Sequence, residues 1–512
     1  MAEMTDAASV ARVLRLAPDD HVGIALEGLE AGTSLSPAFP VTVRTAVPAG
    51  HKVALVDIAE GERVRRLGQP IGVAAASIVA GDHVHEHNLA YPGTLASRAV
   101  ATRDPLPLAN DIATFEGYRR ADGRAATRNY IGVLTTVNCS ARVARVVAQH
   151  FTPEVLRAWP SIDGVMPLTH ASGCSISDGT PSMDMLRRTL AGYARHPNFV
   201  GVLIVGLGCE DNQIDRLCSE TGLELGDAIR SLTIQDLGGT TASVRAGIAA
   251  VEAMMAAAAG QERVPIPVSE LVVGLQCGGS DSFSGLSANP ALGVAVDRLV
   301  AQGGTAILSE TPEIYGAENL LLQRVADESV GRELIDLLEW WDGYTAKEPH
   351  GFDHNASPGN RAGGLTTILE KSLGAVAKGG TTPLNAVYRY AEAITKSGLV
   401  FMDSPGFDPV SATGQVASGA NLIVFTTGRG SCFGCRPAPS LKLATNTPLF
   451  QRMREDMDIN CGLILDGLAT IPEMGGTILD AMIRTASGEQ TASEVLGYGD
   501  DEFAPWHINA WT

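Results

Sequence analysis

An alternation of strand-like and helical segments constrains the fold of this 512-residue chain more than any other feature. From residue 114 onward, short apolar runs predict strands; they include YIGVLTTV at 130, FVGVLIVGLG at 199, SLTIQDL at 231, ELVVGLQCGG at 270, TAILSE at 305, LVFMDSPG at 399 and LIVFTTGRG at 422. Helices are predicted between them at SARVARVVAQHF, TASVRAGIAAVEAMMAAAA and NAVYRYAEAITKS. Apolar strands that alternate with helices predict an α/β fold in which helices cover both faces of a parallel sheet.

The N-terminal part has a different pattern. Residues 20–90 contain short β-prone runs separated by turn sequences, and residues 91–113 contain three prolines without an apolar periodicity. A chain of this length exceeds one ordinary core, and the stretch 259–269 is a plausible boundary. We therefore predict a small β domain over 1–90, a linker over 91–113, and two α/β domains over 114–262 and 263–512.

Composition excludes several classes of protein. With 45% hydrophobic and 19% charged residues, the chain is typical of a soluble globular protein. It has no apolar run of about 18 residues that would predict a membrane span, and its start lacks a secretory signal pattern, so we predict a cytoplasmic protein. The net charge of −19 argues against nucleic-acid and membrane partners, so an anionic substrate would need a local cationic site.

Four cysteines follow predicted strands, where open parallel sheets bind their ligands: Cys139, Cys174, Cys209 and Cys277. None belongs to a CxxC pair, and thiolates at such positions suit iron or an iron–sulfur cluster. For each cysteine alone, a buried thiol near a turn is the alternative. Cys432 and Cys435 do form a CxxC pair, but the nearby prolines argue against a thioredoxin-like redox site.

A histidine-rich segment, GDHVHEHN, covers residues 81–88. On a strand, His83, His85 and His87 would project from one face, which is an arrangement that binds divalent transition metals. His51 follows a turn and could join them. The alternative is a solvent-exposed polar face at a strand end.

The segment CGGSDSFSG at 277–285 runs from a predicted strand into a predicted helix. Backbone N–H groups at such a helix start can hold an anion, which makes Gly278, Gly279, Ser280 and Asp281 candidates for substrate contact. The P-loop and GxGxxG patterns are absent, so a nucleotide enzyme is not predicted. Residues able to act as acid, base or carboxylate clamp are Glu310, Glu313, His170, Lys371 and Arg429, although each alone is more often a surface or ion-pairing residue.

Taken together, these motifs resemble the altronate/galactarate dehydratase family over nearly the whole chain. The N-terminal part is similar to the family's SAF (β-clip) domain in GHKVALVDI at 50–58, GQPIG at 68–72 and GDHVHEHN at 81–88. The remainder is similar to its catalytic region in FEGYRRADGRAATRNYIGVLTTVNCS at 115–140, THASGC at 169–174, VGLGCEDNQ at 205–213, QCGGSDSFSGLSANPALG at 276–293, GGTAILSETPEIYGAE at 303–318, SPGNRAGGLTTILEKSLGA at 357–375, FTTGRGS at 425–431, KLATN at 442–446 and DMDIN at 456–460.

The resemblance implies a metal-dependent hydro-lyase. Such an enzyme removes the hydrogen next to the carboxylate of a sugar acid and the hydroxyl on the following carbon, which yields a 2-keto-3-deoxy acid. A divalent metal stabilises the enediolate that develops. The family implies iron(II), Fe(2+). An iron–sulfur cluster held by the strand-end cysteines, as in some other hydro-lyases, and another divalent metal are the alternatives.

The substrate stays open among three reactions of similar proteins. The histidine-rich segment favours D-altronate, while galactarate dehydration and a (R)-sulfolactate sulfo-lyase reaction are the alternatives. The segment SCFGCRP at 431–437 departs from the TPYGG-like sequence of altronate dehydratases and could reshape the pocket. A non-catalytic sugar-acid binding protein is a further alternative, and we expect a homo-oligomer, with a dimer as the first guess.

The resemblance and the motifs together predict one pocket that the strand ends and the histidine segment share. Catalytic roles are predicted for His170, Asp281, Glu310 and Lys371, and substrate binding for Arg429, Ser280, Gly278, Gly279 and Asn289. Metal binding is predicted for His83, His85, His87, Cys139, Cys174, Cys209 and Cys277.

Overall fold

The computed structural model describes residues 12–35, 37–93, 97–346 and 351–508. Its N-terminal region, residues 12–93, is built from two small antiparallel sheets with the strand orders β1-β2-β3-β6 and β4-β5-β7. The strands are β1 (Val13–Leu14), β2 (Val22–Ala25), β3 (Lys52–Ala54), β4 (Arg63–Arg66), β5 (Gln69–Ala74), β6 (His83–Val84) and β7 (Leu89–Ala90).

The middle region, residues 114–259, contains a four-stranded parallel sheet with the order β11-β10-β12-β13. Helices α1 and α5 pack on one face and α3 packs on the other, so the central strands are buried along their length. The elements are β8 (Thr114–Arg119), β9 (Ala125–Ala126), β10 (Tyr130–Thr135), α1 (Ala141–His150), α2 (Pro153–Leu156), β11 (Gly164–Leu168), α3 (Pro181–Ala194), β12 (Phe199–Gly206), α4 (Ile214–Thr221), β13 (Ile229–Thr233) and α5 (Thr240–Ala258).

The C-terminal region, residues 264–508, contains a seven-stranded parallel sheet with the order β17-β18-β16-β15-β19-β20-β21. Its strands are β14 (Val264–Pro267), which lies outside this sheet, β15 (Val272–Cys277), β16 (Thr305–Ser309), β17 (Leu384–Tyr388), β18 (Gly398–Met402), β19 (Leu422–Thr427), β20 (Ser440–Ala444) and β21 (Ile459–Asn460). Its helices are α6 (Ala288–Ala301), α7 (Asn319–Leu322), α8 (Glu328–Thr345), α9 (Pro358–Ala362), α10 (Ile368–Ala377), α11 (Asp408–Ala417), α12 (Thr447–Arg452), α13 (Ile471–Ala486) and α14 (Ala492–Leu496).

The strand order of the large sheet reverses at its centre. The chain leaves β15 toward β16 and later returns to the other side of β15 as β19. Such a reversal opens a crevice at the carboxyl ends of the strands, where α/β proteins bind ligands. The predicted fold class, a small β domain followed by two parallel-sheet α/β units, is confirmed.

One predicted helix is wrong. The segment NAVYRYAEAITKS contains strand β17, which pairs in parallel with β18 at the edge of the sheet. Alternate side chains of β17 are buried, a period of two that suits its aromatic and β-branched residues. Pairing with β18 therefore outweighs the helical propensity of the alanines that follow.

The regions are joined by more than the chain itself. Strand β8 of the middle region pairs antiparallel with β14 at the start of the C-terminal region. The segment predicted as a linker runs along the C-terminal region, where Ala101 N–H donates to the Leu322 carbonyl at 2.9 Å. Within the described ranges, no helix combines the length and apolarity needed to cross a bilayer. The domain boundaries and the cytoplasmic location stay predictions.

A buried ion-pair cluster fixes the N-terminal region against the C-terminal region. Glu370, on α10, accepts hydrogen bonds from Lys52 Nζ at 2.9 Å and from the Arg66 guanidinium. Lys52 Nζ also donates to the Gly364 carbonyl at 2.7 Å. Buried charges are tolerated only when they are paired in this way, so the contact holds the two regions in a defined orientation.

Candidate functional site

A cluster of buried ionisable side chains lies at the carboxyl edge of the large sheet. Strand β15 supplies Cys277, the turn after β16 supplies Glu310 and Glu313, and the start of α11 supplies Asp408. Helix α10 with its C-terminal cap supplies the two lysines. The cluster consists of Cys277, Glu310, Glu313, Lys371, Lys378 and Asp408.

Direct contacts connect most of these side chains. Cys277 Sγ donates to Glu313 Oε2 at 3.3 Å, and Lys378 Nζ donates to Cys277 Sγ at 3.0 Å. Lys371 Nζ lies 2.7 Å from Glu313 Oε1 and also donates to Asn355 Oδ1 at 2.7 Å. The two ammonium groups thus converge on Glu313 and Cys277.

Glu310 is the exception in this network. It is 0% exposed, and neither of its carboxylate oxygens has a hydrogen-bond partner among the described residues. Its backbone has a φ of 70°, a left-handed conformation that a non-glycine residue adopts at a cost. Burying a polar group without a partner is also costly, so this carboxylate is positioned for a ligand from outside the chain.

Three members of the cluster could hold a metal ion. Ligand atoms of Cys277, Glu310 and Glu313 all lie within 4.8 Å of one another, and they form the one group of three or more such side chains found in the described part of the chain. A thiolate with two carboxylates suits a divalent transition metal. The unpartnered oxygens of Glu310 fit such an ion.

Burial and the neighbouring charges together shift the pKa values of the acidic groups in opposite directions. The pKa of Glu310 is raised well above its ordinary value by burial and by the neighbouring Glu313. Burial, followed by Glu313, raises the pKa of Asp408 to about 7. Burial alone would also raise the pKa of Glu313, but Lys371 and Lys378 outweigh it and lower that pKa. Asp408 can therefore take up or release a proton near neutral pH.

The loop after β15 contains four of the predicted site residues. The Asp281 carboxylate accepts hydrogen bonds from Ser284 N–H at 2.9 Å, Thr445 Oγ1 at 3.1 Å and Asn446 Nδ2 at 3.1 Å. The Gly279 carbonyl accepts from Arg429 N–H at 2.9 Å. These bonds tie the loop after β15 to the loops after β19 and β20.

The other residues predicted to bind substrate have varied surroundings. A Cβ atom on Gly278 would collide with Asp408 Oδ2, so this glycine allows the cluster to pack closely. Ser280 is buried, and its carbonyl accepts from Asn360 Nδ2 at 2.8 Å. Asn289 is also buried and donates to the Gly374 carbonyl at 2.8 Å. The Arg429 side chain is exposed at the rim.

The histidines of the N-terminal region form a second cluster. His51 Nδ1 lies 3.0 Å from His83 Nε2, and the His51 and His85 rings stack at 4.8 Å between centroids. His87 joins at 5.5 Å from the His83 ring. His85 Nε2 lies 3.0 Å from the carbonyl oxygen of Arg361, on α9. The histidine cluster thus faces the C-terminal region.

The backbone of the histidine segment differs from the expected continuous strand. Strand β6 ends at Val84, and a turn in which Asn88 Nδ2 donates to the His83 carbonyl at 3.0 Å brings His87 beside His83. Burial first, and His51 second, lower the pKa of His83 to about 3. Its ring is therefore neutral near pH 7, as metal ligation requires.

The middle region contains the other predicted catalytic and metal-binding residues: His170, Cys139, Cys174 and Cys209. His170 is buried, and its Nε2 lies 3.0 Å from the Thr135 carbonyl while Ser172 N–H donates to its Nδ1 at 3.2 Å. Burial lowers the pKa of His170 to about 4. Three cysteines on the loops of this region are exposed: Cys139, Cys174 and Cys209. Most of the predicted residues are thus distributed over four places: the buried cluster, the loop after β15, the histidine cluster and the loops of the middle region. Asn289, on α6, and Arg429, on the loop after β19, lie outside these four.

Sequence reasoning missed Asp408 and Lys378 and assigned Glu313 no specific role. Asp408 is the first residue of α11, shortly after the strand end MDSPG, and its position behind a strand in a parallel sheet could have marked it. Lys378 caps α10, and no local motif distinguishes it from a surface lysine.

Comparison with known families covers nearly the whole chain. Residues 11–92 match the altronate/galactarate dehydratase SAF domain. Residues 117–259 match the second domain of D-galactarate dehydratase/altronate hydrolase, and residues 268–511 match the C-terminal domain of D-galactarate/altronate dehydratase. The order of the three matches follows the three regions of the structure.

Comparison with individual proteins indicates the same family. The chain is 36% identical to an altronate dehydratase of Bacillus subtilis strain 168 over 93% of this chain and 95% of that protein. It is 37% identical to a galactarate dehydratase (L-threo-forming) of Escherichia coli strain K12 over 92% of each. It is 33% identical to the (2R)-sulfolactate sulfo-lyase subunit beta of Chromohalobacter salexigens over 75% of this chain and 95% of that subunit.

These matches and the parallel-sheet fold with its buried acidic cluster define a metabolic enzyme of the lyase class. The chain belongs to the altronate/galactarate dehydratase family. The resemblance found in the sequence is thereby confirmed, and a sugar-acid hydro-lyase fits this membership.

Proposed function

We propose that this chain dehydrates a sugar acid, with D-altronate as the first substrate to test, to a 2-keto-3-deoxy acid. The observation that carries the proposal is the buried group of Cys277, Glu310 and Glu313 beside two lysines. The reaction removes a weakly acidic C–H next to a carboxylate, so it needs a base together with positive charge that stabilises the enediolate. The cluster offers both.

Each role follows from a position in the cluster. Asp408, with its pKa near 7, is the base that takes the proton from the carbon next to the carboxylate. Lys371 and Lys378 supply positive charge, and their contacts with Glu313 and Cys277 fix them in place. Cys277, Glu310 and Glu313 would hold a divalent metal, iron(II) in this proposal, which supplies further stabilisation of the enediolate.

The N-terminal region closes the site. A cavity of about 10 Å³, enough for about one water molecule, lies between Arg66 and Leu67 of that region and Asp281 and Lys371 of the C-terminal region. A sugar acid needs more room, so we propose that the residues lining this cavity move apart to admit substrate.

Two other substrates remain candidates within this proposal. The (2R)-sulfolactate sulfo-lyase subunit beta is similar to this chain over 75% of this chain's length, and galactarate dehydratase is similar over 92% of it. The histidine cluster at the interface favours D-altronate, while the exposed Cys432 in SCFGCRP lies on the loop that could change the preference. The cytoplasmic location, a homo-oligomeric state and the histidine cluster as a second metal site belong to the same proposal.

The deciding experiment is an anaerobic assay of the full chain with iron(II). D-altronate, galactarate and (2R)-sulfolactate are supplied separately, and 2-keto-3-deoxy acid or sulfite is followed. A chelator-treated sample reloaded with magnesium serves as the matched control. Conversion of altronate that depends on iron(II) supports the proposal. Protein that binds the metal but converts none of the three acids would overturn it.

A further inference from the structure

Three exposed thiols of the middle region have no part in the site described above. Cys139 follows β10, Cys174 follows β11 and Cys209 follows β12, which are three adjacent strands of one parallel sheet. All three thiols are exposed and free of disulfides. Because carboxyl ends of parallel strands meet at one edge, the three loops lie side by side.

Hydrogen bonds hold these three loops against one another. Asn138 N–H donates to the Ser172 carbonyl at 3.0 Å, which joins the loops of Cys139 and Cys174. Asn212 N–H donates to the Gly173 carbonyl at 3.1 Å, which joins the loops of Cys174 and Cys209. Ser175 N–H donates to Asp211 Oδ2 at 2.6 Å, so this second junction is bonded twice.

Close packing and a buried carboxylate stiffen the same edge. Gly173 has a φ of 103°, and a Cβ atom there would collide with the Thr136 carbonyl. Asn212 Nδ2 donates to that same carbonyl at 3.0 Å. Glu210 is buried and accepts from Thr136 Oγ1 at 2.6 Å and from Gly208 N–H at 2.6 Å. The thiols therefore stand on a rigid base.

The three sulfur atoms are not close enough together to share one metal ion. In the described part of the chain, the only side chains that bring three such ligand atoms within 4.8 Å of one another are Cys277, Glu310 and Glu313. At least two of the three sulfurs of the middle region are therefore farther apart than 4.8 Å. A tetrahedral ion with metal–sulfur bonds of about 2.3 Å requires sulfurs closer than this. An iron–sulfur cluster bonds each thiolate through a different iron, so it spans a wider set of sulfurs.

We propose that Cys139, Cys174 and Cys209 bind a [4Fe–4S] cluster. Each thiol gives up its proton and bonds one iron, and the fourth iron is left without a thiolate on the exposed edge, where it can take an oxygen ligand. Helix α1 begins at Ala141, two residues after Cys139, so the positive end of its dipole lies next to the anionic cluster. This inference stands independently of the sugar-acid proposal.

The test is anaerobic purification and reconstitution of the full chain with ferrous iron and sulfide. Wild type is expected to bind about four irons and four sulfides per chain, with the charge-transfer absorption of such clusters and a paramagnetic signal after reduction. C139S, C174S and C209S are each expected to lose most of the bound sulfide. C432S, which removes another exposed cysteine, in the C-terminal region, is expected to retain the bound sulfide.

Two results would overturn the inference: wild type that binds iron without sulfide, or full sulfide content in all three variants. Circular dichroism of the metal-free variants separates lost binding from lost folding. Because sulfide content and absorption require no turnover, the outcome is distinct from that of the substrate assay. A cluster in a protein that converts no sugar acid would leave this inference intact while the proposed function failed.

Discussion

The two parallel sheets of this protein present different chemistry at the same structural position. At the carboxyl edge of the seven-stranded sheet, Cys277 is buried among lysines and carboxylates. At the corresponding edge of the four-stranded sheet, Cys139, Cys174 and Cys209 are exposed. The N-terminal region covers the first edge, through contacts such as Arg66 Nη2 to the Ser282 carbonyl at 2.9 Å.

The N-terminal region covers the edge of the large sheet, and this explains why the cysteine there is buried while those of the smaller sheet are exposed. Removing water from the large sheet's edge raises the pKa of Cys277 to about 12, so without a metal its thiol is neutral at pH 7. A thiol in contact with solvent avoids this desolvation cost. Two strand-end cysteines with similar sequence contexts can thus differ in burial and in the ligands that they accept.

The largest effect is expected at the buried edge. Glu310→Gln removes the unpartnered carboxylate, and we expect kcat/KM for the sugar acid to fall about 10³-fold, since metal stabilisation contributes several kcal/mol. Glu333→Gln, on the exposed side of α8, is the matched control and should leave the rate unchanged. Anaerobic steady-state kinetics with metal analysis would measure both. Unchanged kinetics in Glu310→Gln would show that the buried edge is not the active site.

Glu370 holds the N-terminal region over that edge through its ion pairs with Lys52 and Arg66. Glu370→Gln leaves Lys52 and Arg66 buried without a carboxylate partner, so we expect the free energy of unfolding to fall by about 3 kcal/mol. Denaturant unfolding, with Glu339→Gln as an exposed control, measures the change.

The same carboxylate predicts acid sensitivity. Burial would raise the pKa of Glu370, but Lys52 and Arg66 outweigh it and lower the pKa from 4.5 to about 2. Because the folded pKa is the lower one, the stabilisation is complete above pH 4.5 and is lost as the pH falls toward 2. Unfolding measured between pH 7 and pH 3 should show a smaller loss for Glu370→Gln than for wild type. Equal losses would contradict this account.

Asp408 links the buried edge to the pH dependence of turnover. With a pKa of about 7, Asp408 is protonated below that pH, so kcat/KM should decline as the pH falls through 7. Asp408→Asn should lower kcat/KM about 100-fold and abolish this limb of the profile. Asp336→Asn, exposed on α8, is the control. A limb that persists in Asp408→Asn would assign the base to another residue.

The smallest effect is expected in the reactivity of the thiols, which measures how accessible each cysteine is to solvent. In metal-free native protein, iodoacetamide should label the exposed Cys139, Cys174, Cys209 and Cys432 well before the buried Cys277, Cys435 and Cys461. After reconstitution with iron and sulfide, Cys432 should still react while the three cysteines of the middle region are protected. Mass spectrometry of peptides measures each site. Early labelling of Cys277 would show that its edge is open in solution.

Local patterns were sufficient for the architecture and for part of the site. Apolar runs predicted β10, β12, β15, β16, β18 and β19 because buried parallel strands are continuous hydrophobic segments. Cys277 and Glu310 could be predicted because they lie at the carboxyl ends of apolar strands. β17 could not, because its short alternating run also suits a helix, and the pairing that stabilises it lies outside the segment.

Fold class, family and the residue types of the site follow from the amino-acid sequence, since periodicity and motifs are local properties. Which of those residues meet is a matter of tertiary packing. Adjacent residues of one helix can have different partners: on α10, Glu370 pairs with Lys52 of the N-terminal region, and Lys371 pairs with Glu313 of the buried cluster. Asp408 acquires its raised pKa from burial and from Glu313, which is distant in the chain. Desolvation and charge–charge interactions depend on distances through space, and no spacing along the chain encodes them.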